Sequence, residues 1–303
     1  MDWIDHFLEK SNQCLYGKTR EAQLALTCLL TGGHLLIEDT PGVGKTTLAK
    51  FLAKELGLKL TRIQFTNDLL PSDILGSNVF DTKSGDFKFS QGPIFGEVIL
   101  ADELNRGNSK TQSALLQAME EKRVSIDGVD YNLPKEHILI ATQNPNSQVG
   151  TFPLPESQLD RFLMKISMGP PSRENEGKLL SDQKGEQLSF SGDSSITKEK
   201  LLEDRRKILS YKPSQGIVDY ILDLLEFSRS NSETLGLSPR SGIDLINALK
   251  VRRVILKKNS IDPEDVQELF PYVMGHRLVD PNQSSVSYEQ EVAKSIIQKV
   301  HVY

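Results

Sequence analysis

At 303 residues the chain is long enough for a large domain plus a smaller one, since a single core stops growing at roughly 250–300 residues. Its 38% apolar and 25% charged residues are those of an ordinary globular protein, and its net charge of −5 argues against a protein whose main task is gripping duplex DNA, though not against a local basic pore. Cys14 and Cys28 have the spacing of neither a metal site nor a disulfide framework, the charged start MDWIDHFLEK lacks an apolar signal core, and no run approaches the ~18 apolar residues of a membrane span, so a reduced, cytoplasmic protein is expected.

Residues 1–30 are helical in pattern, broken at Tyr16-Gly17. Strand-like and helix-like segments then alternate. HLLIE (34–38) reads as a short buried strand, TLAKFLAKEL (47–56) as an amphipathic helix and LTRIQF (60–65) as a strand. EVILAD (97–102), HILIATQ (137–143) and FLMKISM (162–168) are further strands, with the helix TQSALLQAME (111–120) between the first two. Strands separated by helix-length segments imply a parallel sheet, and continuous apolar strands imply a sheet covered on both faces. Residues 78–95 and 123–136 read as inserted hairpins, with turns at Lys83–Asp86 and at Asp127-Gly128. The segment 181–196 is polar and reads as a surface stretch or hinge. Beyond it the signals are helical: apolar pairs at 217/218, 221/222 and 224/225, a continuation over 242–256, and Asp262 as an N-cap before Pro263. The division is therefore an α/β domain over 1–170 and a small helical domain over 171–303.

The stretch EDTPGVGKTTLAK (38–50) follows a strand and opens a helix, the context that a phosphate loop requires. Asp39, Thr40, Pro41, Gly42, Val43, Gly44, Lys45, Thr46 and Thr47 form the candidate cradle. Gly42 and Gly44 let the backbone turn its amides onto an anion at the helix N-terminus. Lys45 suits the β- and γ-phosphates, and Thr46 offers a hydroxyl to Mg²⁺. Asp39 stands where the usual pattern has glycine; aspartate accepts unusual backbone angles. A glycine-rich connector without a ligand is the competing reading. VILADELNR (98–106) ends a buried strand in Asp102-Glu103, at the edge where ligands bind in open α/β sheets. Asp102 is assigned to the Mg²⁺ shell and Glu103 to polarising the attacking water, against the alternative of a solvated strand end. Gln143-Asn144 ends another strand, where an amide can orient the water; Asn-Pro is also a turn signal. Arg161, just before a strand, and Arg240, at a helix start in the second domain, are isolated charges unless they serve phosphoryl transfer.

These motifs, with RIQFTNDLLPSDILG, FPLPESQLDRFLM and LGLSPRSGIDL in the same order over about residues 20–280, resemble the AAA+ ATPases and, within them, the MoxR family. The resemblance implies a P-loop nucleotide-binding domain with parallel sheet and hairpin insertions, plus an all-α lid. It places Lys45 and Thr46 in Walker A, Asp102 and Glu103 in Walker B, Asn144 at sensor 1, Arg161 at the arginine finger and Arg240 at sensor 2. The hairpins correspond to the helix-2 insert and the pre-sensor-1 hairpin. Asn67 and Asn108 stand where the family more often has proline. The implied activity is hydrolysis of ATP with Mg²⁺ in a hexameric ring, with chaperone-like remodelling or activation of a client protein, often alongside a von Willebrand factor A domain protein. ATP is expected between the two domains, with Arg240 reaching the phosphates on closure and a neighbour's Arg161 completing the site. Two rival readings are a nucleic-acid motor and a nucleotide-gated scaffold. The acidic charge and the few basic hairpin residues (Lys83, Lys88, Arg123, Lys135) disfavour the first; Glu103 and Arg161 disfavour the second.

Overall fold

The structure is a computed structural model that describes residues 2–145, 151–181, 194–282 and 285–301. Two helices, α1 (Asp2–Cys14) and α2 (Thr19–Thr31), lead into β1 (Leu35–Glu38). The chain continues through α3 (Lys45–Glu55), β2 (Leu60–Gln64), α4 (Pro71–Leu75), β3 (Gly76–Asp81), β4 (Asp86–Gln91), β5 (Val98–Asp102) and α5 (Ser109–Glu121). Next come β6 (Arg123–Ile126), β7 (Val129–Asn132), β8 (Ile138–Gln143), α6 (Glu156–Leu159) and β9 (Met164–Ile166). The regular elements described after β9 are helices: α7 (Arg173–Ser181), α8 (Lys198–Leu209), α9 (Gln215–Ser230), α10 (Pro239–Ile255), α11 (Pro263–Leu278) and α12 (Val286–Lys299). Most of the polar 181–196 segment lies outside the described residues, as does Asn146.

Five parallel strands form one sheet in the order β2-β5-β8-β1-β9. Its strands alternate between two apolar clusters. Leu35, Ile37, Leu100, Ile140 and Ile166 face one, with α2, α3 and the C-terminal helices; Leu36, Ile99, Ala101 and Leu139 face the other, with α5. Period-2 alternation with both faces apolar is why these strands read as continuous hydrophobic runs. The order also reverses at β1: the chain leaves it for the far edge of the sheet and later returns through β8 beside it. Such a switch point opens a crevice at the carboxyl ends of the strands.

Among the described residues, each hairpin forms a two-stranded sheet of its own, β3-β4 and β6-β7. The two lie together, Phe89 stacking on Tyr131 with ring centroids 4.0 Å apart and Asn78 Nδ2 donating to Asp127 Oδ2 at 2.6 Å. The turn at Asp127-Gly128 stands as read from sequence. The other is one residue earlier, at 82–85: the Gly85 N–H closes it on the Asp81 carbonyl at 2.8 Å, so Asp86 already pairs with Asp81. Helix α10 packs on α2, and α11 on β9 and α12. The helical lid thus adjoins the β1–β9 side of the sheet. Asp262 is the N-cap residue of α11: its N–H donates to Asp265 Oδ2 at 2.9 Å, and Asp265 N donates to the Asp262 carbonyl at 3.0 Å.

Candidate nucleotide-binding site

The chain leaves β1 at Glu38 and re-enters helix at Lys45, two residues earlier than the apolar pattern alone suggests. Gly44 (φ +94°) caps the helix, and its carbonyl accepts from Leu48 N at 3.0 Å. Gly42 also has positive φ (+87°), and a Cβ added to it would meet no atom within 4 Å. Backbone angle, not crowding by protein, therefore demands glycine there, and the space over it is open. The Lys45 ammonium donates to the loop's own carbonyls, Asp39 O at 2.5 Å and Thr40 O at 3.2 Å. Burial lowers its pKa, an effect opposed by Asp39, Asp102, Glu103 and Glu38.

Asp39 explains itself through its side chain. Its Oδ2 accepts from Ser167 Oγ (2.7 Å), Met168 N (2.9 Å) and Gly169 N (2.7 Å), and its Oδ1 from Thr40 N (2.8 Å). Burial alone would raise the carboxyl's pKa; these hydrogen bonds outweigh it and hold the group below its usual value. Asp39 is not among the positive-φ residues. Aspartate at this position is a staple between the loop and the segment after β9, and tolerance of unusual backbone angles, the reason read from sequence, does not apply.

A cavity of about 330 Å³ opens over the loop, lined by Pro41, Gly42, Gly44, Lys45, Thr46, Thr47, Asp102, Glu103 and Asn144. Asp39, Thr40 and Val43 lie beside it and do not line it. Sheet register brings the distant residues in, with Glu38 of β1 level with Gln143 of β8, and β5 paired to β8's other edge. Asp102 Oδ1 accepts from Thr142 Oγ1 at 2.6 Å, and its Oδ2 from Arg62 Nη2 at 2.6 Å and Nε at 3.0 Å. Glu103 is left-handed (φ 55°), a conformation that costs on the order of 1–3 kcal/mol outside glycine and concentrates at functional sites. Its Oε1 accepts from Asn144 Nδ2 at 3.2 Å and its Oε2 from Gln64 Nε2 at 3.0 Å. Asn105, fully buried, holds Asn144 from both sides: Nδ2 donates to Asn144 O at 2.9 Å and Oδ1 accepts from Asn144 N at 3.3 Å. Sequence reasoning gave no role to Arg62, Gln64, Asn105 or Thr142. The available signal was period 2, which puts Arg62 and Gln64 on one face of β2.

This donor set suits a magnesium nucleotide. Loop amides and a lysine lie at the N-terminus of α3, and a hydroxyl (Thr46) lines the same cavity as a carboxylate (Asp102), the hard oxygen ligands that Mg²⁺ takes when phosphate and water supply the rest. Among the described residues no cluster of three or more His, Cys, Asp or Glu could hold a metal without a ligand's help.

Arg161 and Arg240 lie elsewhere. Arg161 Nε is 2.9 Å from Glu120 Oε2, and Arg240 Nη1 is 2.9 Å from Glu120 Oε1. Both line a second cavity of about 180 Å³ with Gly32, Gly33 and His34, the residues that precede β1. The phosphate loop follows β1, so the arginines and the loop occupy opposite ends of that strand, roughly 15 Å apart at the rise of an extended chain. The structure brings the two arginines together and brings neither to Lys45. Among the described residues, none from the lid lines the cavity over the loop, so the expectation of ATP between the two domains, with Arg240 closing on its own subunit's phosphates, does not match this arrangement.

Comparison with known proteins adds the following. Residues 34–164 match the family model "ATPase family associated with various cellular activities (AAA)", and residues 229–299 match "AAA lid domain". The chain is 40% identical over 294 residues to the uncharacterized protein YeaC of Bacillus subtilis, covering 97% of this chain and 91% of that one. It is 34% identical over 294 residues to Chaperone MoxR1 of Mycobacterium tuberculosis, covering 90% and 76% of the two chains. A crystal structure from Cytophaga hutchinsonii superposes with a TM-score of 0.88 at 32% identity, covering 100% of this chain and 95% of that one.

Proposed function

Because the chain belongs to the AAA+ ATPases of the MoxR family, we propose that it binds MgATP over the loop between β1 and α3, hydrolyses it at an interface between subunits, and uses the turnover to remodel or activate a partner protein. The observation that carries this reading is one cavity where Lys45, Thr46, Asp102, Glu103 and Asn144 meet, with Arg161 and Arg240 paired at the far end of the sheet. Lys45 exchanges the carbonyls of Asp39 and Thr40 for β- and γ-phosphate oxygens. Thr46 and Asp102 would hold Mg²⁺, which when bound would neutralise charge developing on the phosphate oxygens. Glu103, oriented by Asn144 and Gln64, accepts a proton from the attacking water. Arg161 and Arg240 serve the phosphate of a neighbouring subunit.

The proposal includes a homo-oligomeric ring, six-membered by family resemblance, a division of the chain near residue 170, a von Willebrand factor A domain partner and a cytoplasmic location. No helix among the described residues is long and apolar enough to cross a membrane. On the hairpins, Lys88 is paired with Asp81 and Arg123 with Asp130, which favours a protein client over a nucleic acid. The test is Glu103→Gln. It should bind ATP as the parent does and lose most turnover, and it should retain a client in pull-downs with ATP held. Near-parental turnover would give the water to another group.

A further inference from the structure

A single buried guanidinium joins the two segments that carry the arginines. Arg277 sits on α11 with its side chain 4% exposed. Its Nη2 donates to the Asp160 and Phe162 carbonyls, each at 3.0 Å, and to Asp244 Oδ2 at 2.8 Å. Its Nε lies 3.0 Å from Asp160 Oδ1. The two carbonyls flank Arg161, so the backbone on either side of that residue is tied to one side chain. Asp244 lies one helical turn beyond Arg240 on α10. His276, on the same helix, adds Nε2 at 3.1 Å to the Phe162 carbonyl. The arginines so held already converge on one anion, the Glu120 carboxylate.

We propose that Arg277 is a positioning residue for the shared site: it fixes Arg161 of the core and Arg240 of the lid to each other, so that both reach the neighbour's phosphate as one preassembled unit. This rests on the shared-site reading above. Three of the acceptors, two on the segment around Arg161 and one on α10, meet at the single nitrogen Nη2; lysine keeps the charge but ends one bond closer to the backbone, so its ammonium falls short of that place and the Nε contact with Asp160 is lost. The alternative is a staple between core and lid that matters for stability alone. The two differ in which subunit feels the loss. A positioning role leaves the subunit's own phosphate loop intact and disables the next one.

The experiment uses full-length Arg277→Lys, alone and mixed with Lys45→Ala, with an Arg161→Ala plus Lys45→Ala mixture in parallel and subunit exchange verified. Misplacing catalytic groups by about 1 Å can lose about 100-fold. Arg277→Lys alone should therefore lose about 10–100-fold in kcat, with ATP affinity changed less than about twofold. Its mixture with Lys45→Ala should regain activity, since an intact loop then meets intact arginines. Parental kcat in Arg277→Lys, or a dead mixture beside a recovering Arg161→Ala mixture, overturns the inference and leaves the shared site standing. If neither mixture recovers, the shared-site reading falls and the inference with it. Should Arg277→Lys fail to fold, Asp244→Ala removes only the lid branch, at a carboxylate 27% exposed. It should lower kcat with ATP affinity kept, and an unchanged kcat overturns the proposal.

Discussion

Replacing Asp39 with asparagine tests whether the phosphate loop is held from behind. In the parent, one carboxylate oxygen receives three donors from residues 167–169, and the other receives Thr40 N. Asparagine can turn its oxygen to the three donors, but the bonds become neutral and its amide then faces the Thr40 N–H. A hydrogen bond to a charged group contributes about 1.5–3 kcal/mol and a neutral one about 0.5–1.5 kcal/mol, so three such changes remove about 3 kcal/mol. Asp39 is only half-buried, and solvent screening reduces this to about 1–2 kcal/mol. The denaturant midpoint should fall accordingly. ATP affinity should fall by up to about tenfold, because binding must then fix a looser loop, and 1.4 kcal/mol is one decade. The sign with pH follows from the depressed carboxyl. The parent's advantage is fully present above the unfolded pKa of about 3.9 and is lost as pH falls through the lower folded value. Equal midpoints and equal ATP affinity for parent and Asp39→Asn at pH 7 would refute the staple.

Lys165 lies between Glu38 at 3.0 Å and Glu289 at 2.6 Å with its side chain 2% exposed. Lys165→Met should lose about 3–5 kcal/mol in chemical denaturation by removing the countercharge that two buried carboxylates share, and adding Glu38→Gln and Glu289→Gln should restore much of it; no restoration would make the loss one of packing. Asn105→Ala should lower kcat by about 10–100-fold through displacement of Asn144, with ATP affinity retained in equilibrium titration. Lys45→Ala should weaken ATP binding by about 1.5–3 kcal/mol, the worth of a charge-assisted contact; calorimetry with unchanged affinity would remove the ammonium from the phosphates.

The sheet and the loop were legible in sequence because their signals are local. Runs such as VILAD and ILIAT must be strands covered on both faces, and two glycines before Lys-Thr at a strand end leave few other uses. What escaped depends on contacts distant in sequence. The partners of Asp39 lie 128–130 residues away, so a local pattern can show only that glycine is missing. Arg240 was assigned to its own subunit's site because a lid suggests closure over a ligand. Helix α10 packs instead on α2, beside the start of β1, and that docking hands Arg240 to Arg161. Glu120, which receives both arginines, looks in sequence like any charge on the outer face of α5.

The division of the active site between two subunits is tested most directly by measuring ATP turnover per subunit across a dilution series, with assembly state followed by sedimentation in the same samples. An arginine finger supplied by a neighbour is worth about 10³–10⁵ in rate, so turnover per subunit should collapse by at least roughly 10³ as the assembly dissociates, while ATP still binds. A dissociated monomer that hydrolyses ATP at the full assembled rate would contradict the shared site.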